Sequence, residues 1–200
     1  HPQPVDPLSQ GVFPQALRRR WEARMTHFHQ FERPRYFPGQ LLTEDDLQAE
    51  QDYFRGKSRL HNRLMHGWGV ISGLGVTVDQ GTTLVVAPGL ALDCAGNELV
   101  LTNLERLSLS GLSGRHYLAI EYLEVPVTPV PSPGGKAQYS RIRESVSLKR
   151  LDTNPCLGHA HIGPGSPGCG LPHALRLATI SRRGAHWRVS AARPTARRRK

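Results

Sequence analysis

Cys156, His159, His161, Cys169 and His173 are the residues whose types and spacing come nearest to a chemical site. Two thiols and three imidazoles fall within 18 positions. That is enough soft and borderline ligands to close a tetrahedral zinc site. The spacing, Cys-x2-His-x-His-x7-Cys, lacks the paired Cys-x2-Cys knuckle of a standard finger. Three outcomes stay open: a structural zinc, a Cys156–Cys169 disulfide, or a loop in which both remain thiols. A zinc hydrolase built on His159, His161 and Cys169 needs a general base as well, and no base motif accompanies these ligands.

Other reaction centres have no signature here. There is no G-x-S-x-G, no P-loop, no H-E-x-x-H and no dinucleotide fingerprint, so the chain is not expected to be an enzyme or to carry a cofactor. The glycines from Gly67 to Gly73 follow a helix and precede a strand, the reverse of a phosphate cradle. Glu44, Asp45 and Asp46 read as helix-capping acids rather than as a carboxylate pair. His61 and His66 lie five apart, which is not one α-helical face, so paired metal ligation is not expected. Trp68, between two glycines, reads as an anchor packing the helix end onto a sheet. Cys94 reads as a small buried apolar residue.

These positions need a frame, and the local patterns supply one. After Pro38-Gly39, Thr43 is a good N-cap with Asp46 at the capping-box position. From there the spacing predicts a helix of about six turns, ended by Gly67 or Gly69. Leu47, Phe54, His61 and Met65 share one stripe, with Tyr53, Leu60 and Leu64 beside it. Gly56 inside the helix suggests close approach by another backbone. After Gly69 the period switches to two. Val70 to Val78 predicts a strand, Asp79-Gln80-Gly81 a turn, and LVVAPGLAL the return strand. Glu98–Leu101 and His116–Val125 follow as strands. PVTPVPSPGGKAQYS reads as loop, RESVSLKRL as strand, and Arg176–Ser181 with His186–Ser190 as a closing hairpin. The expected fold class is α+β, mainly β: one long N-terminal helix followed by an antiparallel β-sandwich or small barrel.

Composition sets the domain plan. The chain has 200 residues, 38% of them hydrophobic, with 20 Gly and 16 Pro, so a core forms over only part of it. Residues 1–34 read as an extended arm, 35–190 as a helix plus β domain, 152–173 as a Gly/Pro/His loop insertion, and 191–200 as a basic tail. The net charge of +10 is concentrated. From Arg176 onward there are nine Lys or Arg and no Asp or Glu, leaving a nearly neutral body. No aromatic-basic interleaving accompanies the arginines, so nucleic acid is not an expected partner. No apolar run is long enough for a membrane span, and the start shows no basic-then-apolar signal segment.

One run carries a resemblance. F-P-G-Q-L-L, a capped helix ending H-N-R-L-M-H-G-W-G-V-I-S-G-L, and then P-G-L-A-L-D-x-x-G resemble small tail- or baseplate-associated proteins of phages and phage-tail-like contractile injection systems. The match spans roughly residues 35–101. It implies a structural or adaptor subunit mediating protein–protein assembly, in several copies beside other subunits of the particle. It implies a bacterial cytoplasmic location during assembly and a place in the particle afterwards. Phe37, Gly39, Gln40, His66, Gly67, Trp68, Gly73, Pro88, Gly89, Asp93 and Gly96 become framework positions, none of them catalytic. The alternative function is a carbohydrate- or cell-surface-binding fibre module, with Trp68, Tyr122 and Trp187 as stacking surfaces.

Overall fold

In the computed structural model, the described residues are 30–131, 138–155 and 168–191. Most of the arm, the basic tail beyond Ala191, and Cys156, His159 and His161 lie outside them. Helix α1 runs Glu44–His61, with Thr43 as its N-cap. The capping box is complete: Asp46 N–H donates to Thr43 Oγ1 at 3.3 Å, and Thr43 N–H donates to Asp46 Oδ2 at 3.0 Å. These bonds satisfy two orphan donors of the first turn. The backbone bond from Thr43, followed by its side-chain bond, holds the Asp46 carboxyl below its ordinary range. The ionised form therefore fastens the cap, and that contribution is lost as pH falls through the lowered value. Thr43→Ala is expected to cost about 1 kcal/mol at neutral pH. The difference from wild type, read by urea unfolding, shrinks in acid.

The helix does not end as a plain α-helix. Asn62–His66 form a π-helical turn, closed by Gly67 at φ +75, whose N–H donates to Asn62 O at 3.1 Å. Gly67 thus stops the helix as its sequence position suggests. Gly56 is needed for a neighbour other than the backbone expected for it. A Cβ there would stand 2.7 Å from Cε1 of Phe31, whose ring packs edge-on against Tyr53.

Ten strands follow: β1 Gly69–Gly73, β2 Val76–Asp79, β3 Thr83–Val86, β4 Gly89–Leu92, β5 Glu98–Leu101, β6 Glu105–Ser108, β7 Arg115–Val130, β8 Gln138–Leu151, β9 Leu175–Arg183 and β10 His186–Ala191. They form three antiparallel sheets, ordered β1-β4-β5, β2-β3-β6 and β10-β9-β7-β8. No closed barrel is present among the described residues, and the helix is not N-terminal, since it begins only at Glu44. The protein is mainly β with one helix. No helix among the described residues is long and apolar enough to cross a membrane.

The two expected strands around Asp79-Gln80-Gly81 are each broken in two, at the same level. Gly73 pairs with Gly89 in one sheet, and Val76 pairs with Val86 in the next. Across the corner, Leu74 N–H donates to Pro88 O at 3.1 Å and Ala87 N–H to Gly75 O at 2.9 Å. Gly73 at φ +65 and Leu74 at φ +53 make the bend. A Cβ on Gly73 would sit 2.1 Å from Pro88 O, and one on Gly89 would sit 2.4 Å from Ser72 O. Only paired glycines let two backbones approach this closely. The segment expected as loop after Val125 instead continues β7 to Val130, paired with β8. Pro126 and Pro129 are tolerated there because β9 flanks β7 only along Arg115–Ile120, leaving that side of the ribbon open. β6, Glu105–Ser108, is a strand that the sequence expectations do not include.

All three sheets contribute to one apolar core, including Trp68, Val86, Leu99, Leu118, Ile120, Leu177 and Ile180. Cys94, 3% exposed, belongs to it as a small apolar side chain.

Candidate functional site

Of the framework residues, Asp93 and Gly96 lie where α1 meets the sheets. The loop between β4 and β5 is built around Asp93, which is 1% exposed. Its Oδ1 accepts from the N–H groups of Ala95 and Asn97, both at 2.9 Å, and its Oδ2 accepts from Asn97 Nδ2 at 2.7 Å. Burial pushes this carboxyl above its ordinary value, against the pull of those bonds. The loop so fixed presents Gly96 to the helix. A Cβ on Gly96 would lie 2.1 Å from Arg59 O, and Gly96 itself has φ +90. Asn62 Nδ2 then donates to Gly96 O at 3.1 Å and to Glu98 Oε1 at 3.2 Å.

A second set of contacts holds the helix against β7. Arg55 and Arg59 reach Glu124 Oε1 at 3.3 and 3.5 Å, and the Arg59 guanidinium lies 5.7 Å from the Tyr122 ring centre. Tyr122 donates to Glu124 at 2.9 Å. Burial first, then that bond to a carboxylate, raises the Tyr122 hydroxyl far above its ordinary range. A cavity of about 140 Å³ remains between Arg55, Arg59, Asn62, Tyr122 and Glu144. α1 therefore turns a polar face to the body, and none of its own residues is buried.

The opposite face of α1 is apolar and open. Leu47 is 50% exposed, Phe54 62% and Met65 63%. Phe37, Leu41 and Leu42 extend the surface at the start of the helix, and Leu64 at its end. An amphipathic stripe ordinarily turns to its own core; here the stripe recognised in the sequence turns to solvent.

Gly39, at φ +83, turns the chain so that Gln40 N–H donates to Phe37 O at 3.2 Å. Gln40 Oε1 is buried without a partner among the described residues. Trp68 is 6% exposed and packs in the core, as an anchor at the helix end. That removes it from any glycan-stacking surface. Trp187 is half-buried under the Arg182 guanidinium.

His66 lies beside His61, ring centres 5.2 Å apart. An α-helical wheel separates residues five apart, but the π turn widens the coil and brings them together. Sequence periodicity has no signal for that widening. The clamp by Arg55, Arg59 and Glu124 has no local sequence signal either, since its partners are 65 or more positions apart.

Of the Cys/His group, Cys169 and His173 are described and adjacent, Sγ to Nε2 at 3.2 Å. Cys169 is a free thiol, and its Sγ also accepts from Leu171 N–H at 3.4 Å. Their loop is tied to the core by Gly170 N–H donating to Cys94 O at 3.0 Å. Cys156, His159 and His161 lie outside the described residues. Among the described residues, no three His, Cys, Asp or Glu side chains gather as metal ligands.

No protein-family model matches the chain, and no curated protein does. Solved structures do match. One is of the type VI secretion system TssK-TssF-TssG baseplate subcomplex, at 13% identity and a TM-score of 0.48 over 80% of this chain and 60% of that one. A second is of the baseplate complex from the type VI secretion system, at 14% identity and a TM-score of 0.46 over 81% and 58%. A third is of TssK, at 13% identity and a TM-score of 0.43 over 80% and 41%. The chain thus spans 60% or less of the length of these structural neighbours.

Proposed function

We propose that this protein is a structural, adaptor-type subunit of a phage tail or phage-tail-like contractile injection particle, joined to neighbouring subunits through helix α1. The observation that supports this most is the outward apolar stripe on a helix whose opposite face is clamped to the sheets. Apolar side chains held rigidly in water favour cover by another polypeptide. The resemblance of residues 35–101 to tail- and baseplate-associated proteins says which kind of assembly. The residues carrying it fix shape: the Gly73–Gly89 corner, the Asp93 loop, Gly96 under the helix and Trp68 in the core.

The subunit is placed in the bacterial cytoplasm during assembly and in the particle afterwards, in several copies, without catalysis. A structural zinc taking its four ligands from among Cys156, His159, His161, Cys169 and His173 is a secondary proposal, supported by the closeness of Cys169 to His173. The test of function is recovery of the tagged full chain from cells assembling the particle. Sheath, tube or baseplate proteins are expected to co-elute, and a chain that elutes alone contradicts the assignment.

A further inference from the structure

Helix α1 carries two linear patterns that fit each other when one of them is reversed. The first is charge. Residues 44–52 contain Glu44, Asp45, Asp46, Glu50 and Asp52 and no base, whereas residues 53–66 contain Arg55, Lys57, Arg59, His61, Arg63 and His66 and no acid. Arg55 and Arg59 are engaged by Glu124, which leaves Lys57, His61 and His66 as the outward basic set. Glu50, whose carboxylate also accepts from the Tyr36 hydroxyl at 2.7 Å, and Lys57 stand seven residues apart, so they flank the apolar stripe on the same side.

The second pattern is apolar. Phe37, Leu41, Leu42 and Leu47 cluster at the acidic end, Leu64 and Met65 at the basic end, and Phe54 lies between them, all of them exposed.

We propose that this face is a two-fold interface with a second copy of the same chain, the two helices antiparallel and crossing near Phe54. This deepens the assembly function by naming the partner of α1. A two-fold interface sets one patch against itself, so the patch must be self-complementary about a central point. This one is. The acidic, apolar start of each helix meets the basic, apolar end of the other, and Phe54 meets its own copy near the axis. Glu50 faces Lys57 of the second copy on both sides. Antiparallel pairing also opposes the helix dipoles favourably. A parallel arrangement sets acid on acid and base on base.

The chain's own arm fits the stripe less well. It enters the described region at Gln30 and Phe31, where the Phe31 ring meets Gly56, at the basic half of α1. Residues 18–24 of that arm hold Arg18, Arg19, Arg20 and Arg24 against one acid, Glu22, the same sign as the basic half of α1.

Sedimentation equilibrium of the full chain tests the proposal. The expected result is a species of twice the 22.2 kDa chain mass. Phe54→Glu, at a position open to solvent in the monomer, is expected to weaken association roughly a hundredfold while leaving the circular dichroism unchanged. Glu50→Lys and Lys57→Glu each weaken it several-fold, and the double exchange restores it. A monomeric wild type overturns the proposal. If amide exchange over α1 is slow in that monomer, the chain's own arm is the occupant. A dimer indifferent to Phe54→Glu overturns it too, and so does a double exchange that fails to restore association, which indicates another pairing geometry. A monomer that still co-elutes with particle proteins overturns the two-fold pairing but leaves the assembly function standing; a dimer that never co-elutes does the reverse.

Discussion

Asp93→Ala is expected to lose about 3 to 5 kcal/mol of stability, because removing the carboxylate strands several polar groups at once. Asp93 is fully enclosed, and its two oxygens serve Ala95 N–H, Asn97 N–H and Asn97 Nδ2. A neighbouring water cannot replace it at Asn97, which is itself buried. Asp93→Asn keeps the volume but substitutes a donor for one acceptor, so about 2 kcal/mol is expected. Urea unfolding of the two variants, with unchanged slopes, checks both values.

The pH dependence follows from the direction of the shift. Burial raises the folded-state value of Asp93 above the ordinary 3.8, so the native state holds the proton more tightly than the unfolded chain does. Stability from this group is therefore complete below the ordinary value and fades as pH rises through the raised one. Asp46 behaves in the opposite sense. Comparing Asp93→Asn with wild type across the acid range separates the two.

Gly96→Ala is expected to cost about 3 kcal/mol or more, and to loosen α1 from the sheets. Two independent obstacles stand in the way of a Cβ. The φ of +90 disfavours any L side chain, and the nearest atoms are the backbone O, C and Cα of Arg59, at 2.1, 2.8 and 3.0 Å. Backbone cannot rotate aside as a side chain can, so the helix must shift as a body. That shift takes Asn62 from Gly96 and Glu98, and Arg55 and Arg59 from Glu124. Gly39→Ala is the matched control: its φ is +83, but no atom lies within 4 Å of the added Cβ. It is expected to cost only about 1 kcal/mol. The difference between the two variants measures the close approach of helix and loop, separately from the backbone conformation.

Much of this frame is legible in the sequence, and for identifiable reasons. Thr43 with Asp46, the stop at Gly67, the turns at Gly81 and Gly184 and the strand Glu98–Leu101 are local patterns, decided within a few residues. The broken strands at Gly73–Gly75 and Ala87–Gly89 are less legible. Hydrophobic alternation continues through both, and only the pairing of two glycines from different strands shows that the hairpin turns a corner. PVTPV reads as loop because proline opposes strand in general; it forms strand here because one side of that ribbon is unpaired. The direction of the α1 stripe is the hardest to read. Periodicity shows that a stripe exists, but which face packs inward depends on Glu124 and Gly96, far along the chain. Of the Cys/His group, only Cys169 and His173 lie among the described residues, with Sγ and Nε2 3.2 Å apart.

If α1 is the assembly face proposed, the particle covers it. Amide exchange over residues 43–66 tests this most directly, with the full chain measured alone at high dilution and again in the complex recovered from cells assembling the particle. Co-elution with sheath, tube or baseplate proteins is expected, together with markedly slower exchange along α1 in the complex than in the dilute chain. A chain that elutes alone, or a complex in which α1 exchanges as fast as in the dilute chain, contradicts it.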